Sequence, residues 1–104
     1  MLNSIKNNQP KADEVILHQN HPNPFNLSTL IPYTIDLPGD ATLQIHDLDG
    51  KLIYQQTQSH SSSGDKHFRY LSSDLIPGTY IYSLLFNNGY STVRLRRSMI
   101  FKHH

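Results

Sequence analysis

Seven histidines in 104 residues are the first invitation to chemistry. His18 and His21 stand three apart, but prolines flank them, so they share no helix face; His46, His60 and His67 fall on strands or in a serine-rich stretch. A structural zinc site takes four ligands, and a chain without cysteine has no thiolate to give. No histidine pair has zinc-site spacing. Asp47-Leu48-Asp49-Gly50 begins like a calcium loop, yet the later ligands and the closing glutamate are missing, and an Asp-Gly hairpin turn explains it better. Serine and histidine are plentiful, but no G-x-S-x-G elbow is present. Glu14 is the sole glutamate, and no pair of acids is placed for glycoside hydrolysis. The sequon Asn26-Leu27-Ser28 is short enough to arise by chance and carries no weight. The expectation is a chain with no catalytic residue, no metal and no cofactor, and not an enzyme.

Tyr54, Tyr80, Tyr82 and Tyr90 could instead line a sugar-binding face. Alternating aromatics in a hydrophobic strand are more often core, because they dominate buried area. An adhesive or carbohydrate-binding module therefore stands as the alternative, and a purely structural or oligomerising domain as a third reading.

What would position any such site is a set of short strands. The length fits one domain with a modest core. Ten aromatic residues, six Tyr and four Phe, and a net charge of +1 argue against disorder and against a nucleic-acid partner. No run of 18 apolar residues is present, and Met1 to Lys6 lead into no apolar stretch, so a signal peptide is not expected here; an export signal would lie on a larger protein. Residues 1–14 read as a linker, 15–102 as the domain, and His103-His104 as native residues or the stub of a purification tag.

Period-two alternation places Ile31, Tyr33, Ile35 and Leu37 on one face of a first strand, with Pro32 suggesting an edge or a bulge. Ala41, Leu43 and Ile45 mark a second strand, Asp47 to Gly50 a hairpin turn, and 51–57 the return. Residues 58–65 read as a flexible loop and 66–71 as a strand around Phe68 and Tyr70. The most hydrophobic run, 79–86, is a central strand, followed by a turn at Asn87-Asn88-Gly89 and a last strand over 90–101. The fold expected is all-β, an immunoglobulin-like antiparallel β-sandwich of six or seven strands. Its core should hold Ile31, Tyr33, Ile35, Leu43, Ile45, Tyr80, Tyr82, Leu84, Val93 and Leu95, with Phe25 tucked in from the Pro22–Asn26 loop.

The charge is lopsided. All eight acids lie before residue 75, while Arg94, Arg96, Arg97 and Lys102 follow it with no acid among them. One reading is an edge strand shielded by cations; the other is a basic recognition strand. On charge alone the first is preferred. Arg97 breaks the apolar phase of Val93, Leu95, Met99 and Phe101, which suggests a bulge or frayed end near it and leaves Met99, Ile100 and Phe101 as a partly exposed apolar segment.

Five segments in order are similar to one family. Gln19-Asn20-His21-Pro22-Asn23-Pro24-Phe25-Asn26-Leu27-Ser28-Thr29 resembles the QNYPNPFNPST opening of the C-terminal sorting domain of type IX secretion in Bacteroidetes. Ile31 to Pro38, Leu43 to Lys51, Asp74 to Tyr82 and Arg97 to Lys102 resemble that family's later motifs. His21 and His46 replace tyrosines, Leu27 a proline, and Ser98 interrupts a basic pair. The resemblance implies an immunoglobulin-like sandwich at the C-terminus of an exported cargo protein. It also implies passage through the periplasm to the cell surface or medium, recognition by outer-membrane type IX components, and in many relatives cleavage by a sortase-like surface peptidase. The expected recognition residues are Gly78, Tyr80, Arg94, Arg96, Arg97, Met99, Ile100, Phe101 and Lys102. Asn23, Pro24, Phe25, Asn26, Asp47 and Gly50 are expected to be structural. The oligomeric state is left open.

Overall fold

Alternating side chains decide the two faces of every strand here, and the buried set shows which face looks inward. In the computed structural model, which describes residues 14–103, seven strands run β1 (Ile16–Leu17), β2 (Ser28–Ile35), β3 (Gly39–His46), β4 (Leu52–His60), β5 (Gly64–Leu71), β6 (Gly78–Asn87) and β7 (Thr92–Phe101). They form two antiparallel sheets, β1-β2-β5 and β4-β3-β6-β7. The expected linker lies almost wholly outside the described residues, as does His104.

The core lies between the sheets. Ile31, Tyr33 and Ile35 of β2 and Phe68 and Tyr70 of β5 face Ala41, Leu43 and Ile45 of β3 and Tyr80, Tyr82, Leu84 and Phe86 of β6. Val93 and Leu95, expected inside, are only partly buried because β7 is the edge of its sheet. A one-residue bulge opposite Ile45 and His46 leaves Ile53 unpaired and lets both Ile53 and Tyr54 pack on the core.

Turn chemistry closes the hairpins where expected. The Asp47 carboxylate accepts the N–H groups of Asp49 (3.0 Å) and Lys51 (2.9 Å), and Gly50 takes a φ of +89° that a side chain would resist. At the other end, Asn87 and Asn88 carboxamides accept the N–H groups of Gly89, Tyr90 and Ser91, turning β6 into β7.

Three further expectations need correction. Residues 58–65 are not a loop: Gln58, Ser59 and His60 pair with Ala41, Asp40 and Gly39, and β5 begins at Gly64. The buried Tyr33 holds this end in place, its hydroxyl donating to Gln58 Oε1 (3.1 Å) and lying 2.6 Å from His60 Nε2. Pro32 marks neither an edge nor a bulge; β2 is the middle strand of its sheet. His18 N–H donates to the Pro32 carbonyl (3.0 Å), and the N–H that proline cannot return to His18 is replaced by the Tyr82 hydroxyl, which donates to the His18 carbonyl (2.8 Å). Nor is there a bulge or fray near Arg97, since β7 pairs with β6 without interruption from Thr92 to Phe101.

Gly39 opens β3 where β6 ends. A Cβ there would meet the Asn87 carbonyl oxygen and the Phe86 ring. Gly39→Ala is therefore expected to cost about 1–3 kcal/mol through forced backbone movement, measured by urea denaturation. A loss near zero would mean that the β3 start is free to shift.

Candidate functional site

Strand β7 carries the basic residues, and its pairing with β6 fixes where each one points. Met99 faces Tyr80 and Phe101 faces Gly78, and both are buried, at 0% and 3% exposure. The segment Met99 to Phe101 is partly exposed as expected, but through Ile100 alone, 41% exposed, while Met99 and Phe101 are core side chains. The neighbouring Tyr80 is buried too, its hydroxyl donating to the Ile76 carbonyl and fastening the 72–77 corner.

Arg97 shares the inward phase of Met99. It does not break the strand, because it lies at the open flank of the sandwich where β1 runs past β7. There Arg97 Nε donates to the Leu17 carbonyl (2.7 Å), and Nη1 reaches Gln19 Oε1 (3.5 Å). Its guanidinium ties the two sheets together, where an apolar side chain would leave the Leu17 carbonyl unpaired.

The outward row of β7 is Thr92, Arg94, Arg96, Ser98 and Ile100, continued by Lys102. Arg94 stands opposite Leu85, and Arg96 opposite Ser83. The neighbouring outward rows place Ile81, Ser83 and Leu85 from β6 and Asp40, Thr42, Gln44 and His46 from β3; the one acid, Asp40, stands opposite Asn87 and not in line with either arginine. Those β3 side chains are bonded across to β4, Thr42 to Thr57 (2.9 Å) and Gln44 to Gln55 (2.8 Å). The result is a mainly uncharged polar face, with Asp40 at one end and a cationic margin along β7.

The backbone edge of the final residues is already occupied. Phe25 N–H donates to the Ile100 carbonyl (3.0 Å), Lys102 N–H to the Phe25 carbonyl (2.9 Å), and Ile100 N–H to Asn23 Oδ1 (2.9 Å). Gln19 Nε2 donates to the Ser98 carbonyl (3.0 Å). The Phe25 side chain, 2% exposed, is edge-on to Tyr70 and Phe101. Pro24 is exposed at the tip, and the Asn26 carbonyl accepts the Ser72 hydroxyl (3.2 Å). This loop seals the end of β7, so the residues beyond Arg97 do not protrude as a strand for edge pairing.

Sequence reasoning missed Asn20, which is 2% exposed. Its N–H donates to the Tyr82 hydroxyl (2.9 Å), and its carboxamide donates to Thr29 Oγ1 (3.0 Å) and the Pro22 carbonyl (3.2 Å). The signal available was an asparagine just ahead of a proline-rich loop that needs its carbonyls satisfied. Topology gathers this loop, the Asp47–Lys51 turn, the 72–78 corner and Lys102 at one end of the sandwich. Among the described residues, no three His, Asp or Glu side chains come together to hold a metal ion.

Comparison with known proteins places this architecture. Domains of two β-glucuronidase structures from Parabacteroides merdae, one with glycerol in its active site, match at a TM-score of 0.59 and 17% identity, over 86% of this chain. The chain spans 14% of the length of those enzymes. The C-terminal domain of wzt matches at 0.51 and 17% identity, over 92% of this chain and 76% of that one. At such identities the likeness is one of fold alone. No curated protein matches the chain. The sequence pattern described as "Secretion system C-terminal sorting domain" matches residues 20–96, from the buried Asn20 to Arg96 on β7. The chain belongs to the family of secretion-system C-terminal sorting domains.

Proposed function

We propose that type IX secretion machinery reads this sorting domain through the outward row of β7, namely Arg94, Arg96 and Ile100, together with Lys102. As a family member the domain is a sorting signal for type IX secretion, and it marks its carrier for export to the cell surface or the extracellular space. Its partners are the outer-membrane machinery and an upstream cargo fused to it. Cleavage by a sortase-like peptidase at the cell surface follows in this reading. The domain performs no chemistry of its own.

The observation that carries the residue assignment is the cationic margin of β7. Cations on an edge also discourage accidental strand pairing, and the two roles are compatible, since a charged row steers a complementary partner while repelling like edges. Gly78, Tyr80, Met99 and Phe101 serve by holding β7 in place, and Arg97 by joining the sheets. A sugar-binding role has less support, because Tyr80 and Tyr82 are buried while Tyr90, 76% exposed, stands at the opposite end from Tyr54.

A fusion tests the reading. Residues 15–102 placed after a folded reporter with its own inner-membrane export signal should bring the reporter to the surface or medium of a type IX-competent host. The same fusion should stay periplasmic in a strain lacking the system. Periplasmic retention in both strains would sink the proposal.

A further inference from the structure

At the end where the β3–β4 turn meets the 72–77 corner, the sheets part and leave a cleft of about 520 Å³. Its floor is aromatic, made by Tyr54, Tyr70 and Tyr80, with Tyr54 and Tyr70 edge-on at 5.0 Å. Its rim is apolar although solvent reaches it: Leu52, Leu71 and Ile76 are 47%, 64% and 75% exposed. Asp47 and Asp74 stand on the same rim against one base, Lys51.

The hydroxyls on the floor differ. Tyr54 donates to Gln56 Oε1 (2.7 Å) and Tyr80 to the Ile76 carbonyl. Tyr70, 5% exposed as a whole residue, lines the cleft, and its hydroxyl is within reach of solvent there and has no hydrogen-bond partner among the described residues. Burial, and secondarily the neighbouring Tyr80 and Tyr54, push its pKa up, so it is a neutral donor at physiological pH. Contiguous exposed apolar side chains around a concavity mark a place where something binds.

We propose that this cleft docks an extended peptide segment of a partner protein that carries a basic residue beside an apolar one. The apolar side chain lies over the tyrosine floor, and the lysine or arginine meets Asp74 and Asp47. A backbone carbonyl of the peptide accepts the Tyr70 hydroxyl. The acidic rim selects this chemistry and rejects an acidic segment. The site is separate from the β7 row and stands or falls independently of it.

Amide-shift titration of the 15N-labelled domain tests it with two capped pentapeptides, alternating leucine–lysine and alternating leucine–glutamate. The lysine peptide should shift Leu71, Asp74, Leu75 and Ile76 in a saturable way below about 1 mM while Arg94 and Arg96 stay still. The glutamate peptide should not. Tyr70→Phe and Asp74→Asn, which leave the packing in place, should each weaken binding about three- to tenfold. No saturable shift, equal binding of both peptides, or unchanged affinity in both variants would overturn the proposal. So would the same shifts with a neutral trisaccharide and none with the lysine peptide, which would assign the cleft to a sugar. Shifts at these amides on simple dilution of the protein would assign it to a second copy and overturn it equally.

Discussion

Truncating Tyr82 to alanine is expected to cost about 3–5 kcal/mol, a large part of the 5–15 kcal/mol that holds a domain of this size. The ring is fully buried at the centre of β6. Its hydroxyl also crosses to the other sheet, accepting Asn20 N–H and donating to the His18 carbonyl that Pro32 cannot serve. Tyr82→Phe separates the two contributions. It keeps the ring and orphans two backbone groups, so about 1–3 kcal/mol should be lost.

The alkaline pH dependence reports on the same hydroxyl together with those of Tyr33 and Tyr70, whose pKa values burial also raises. Burial raises the Tyr82 pKa from 10.0 to about 12, against smaller opposing effects of the Asn20 N–H and Arg97. A group whose folded pKa is raised contributes stability that is complete below its unfolded pKa and is lost as pH rises through the folded value. Stability should thus decline between pH 10 and about 12, and less steeply in Tyr82→Phe. Urea denaturation across that range measures it. A Tyr82→Phe variant as stable as the parent at pH 7 would show that the cross-sheet hydroxyl contributes nothing.

The second large effect belongs to Phe25. Phe25→Ala should cost about 3–5 kcal/mol from the cavity against Tyr70 and Phe101. It should also loosen a partner 75 residues away. The Phe25 carbonyl accepts the Lys102 N–H and Asn23 of the same loop accepts the Ile100 N–H, so without the ring as anchor those two amides should exchange faster relative to the β3–β6 amides. Asn23→Ala removes only the bond to Ile100 N–H and should cost about 1 kcal/mol. Uniform exchange acceleration in Phe25→Ala would mean that the loop is ordinary core, with no special hold on β7.

Alternation made β2, β3 and β6 readable, because one face of each is buried and the other wet. The Asp47–Gly50 and Asn87–Gly89 turns were readable from side chains that cap their own backbone. The far ends of β4 and β5 were not, since Gln58, Ser59 and His60 show no apolar rhythm. They are ordered by register with β3 and by the Tyr33 hydroxyl, a contact between distant segments. Arg97 misled for a related reason. An inward cation looks like a broken pattern unless the Leu17 carbonyl facing it is known. The arginines of the candidate site were legible as residues. Their geometry was not, because the loop that seals Ser98 to Lys102 is placed by tertiary contact alone.

Export of a reporter fused to residues 15–102, carrying Arg94→Glu, Arg96→Glu and Lys102→Glu together, tests most directly whether β7 is what the machinery reads. All three side chains are exposed, and neither sheet depends on them for closure. The melting temperature should stay within about 4 °C of the parent. Surface reporter should fall at least about tenfold, as like charges meet where complementary ones are needed. Undiminished surface reporter from a folded triple variant would contradict the assignment and place the recognition surface elsewhere on the domain.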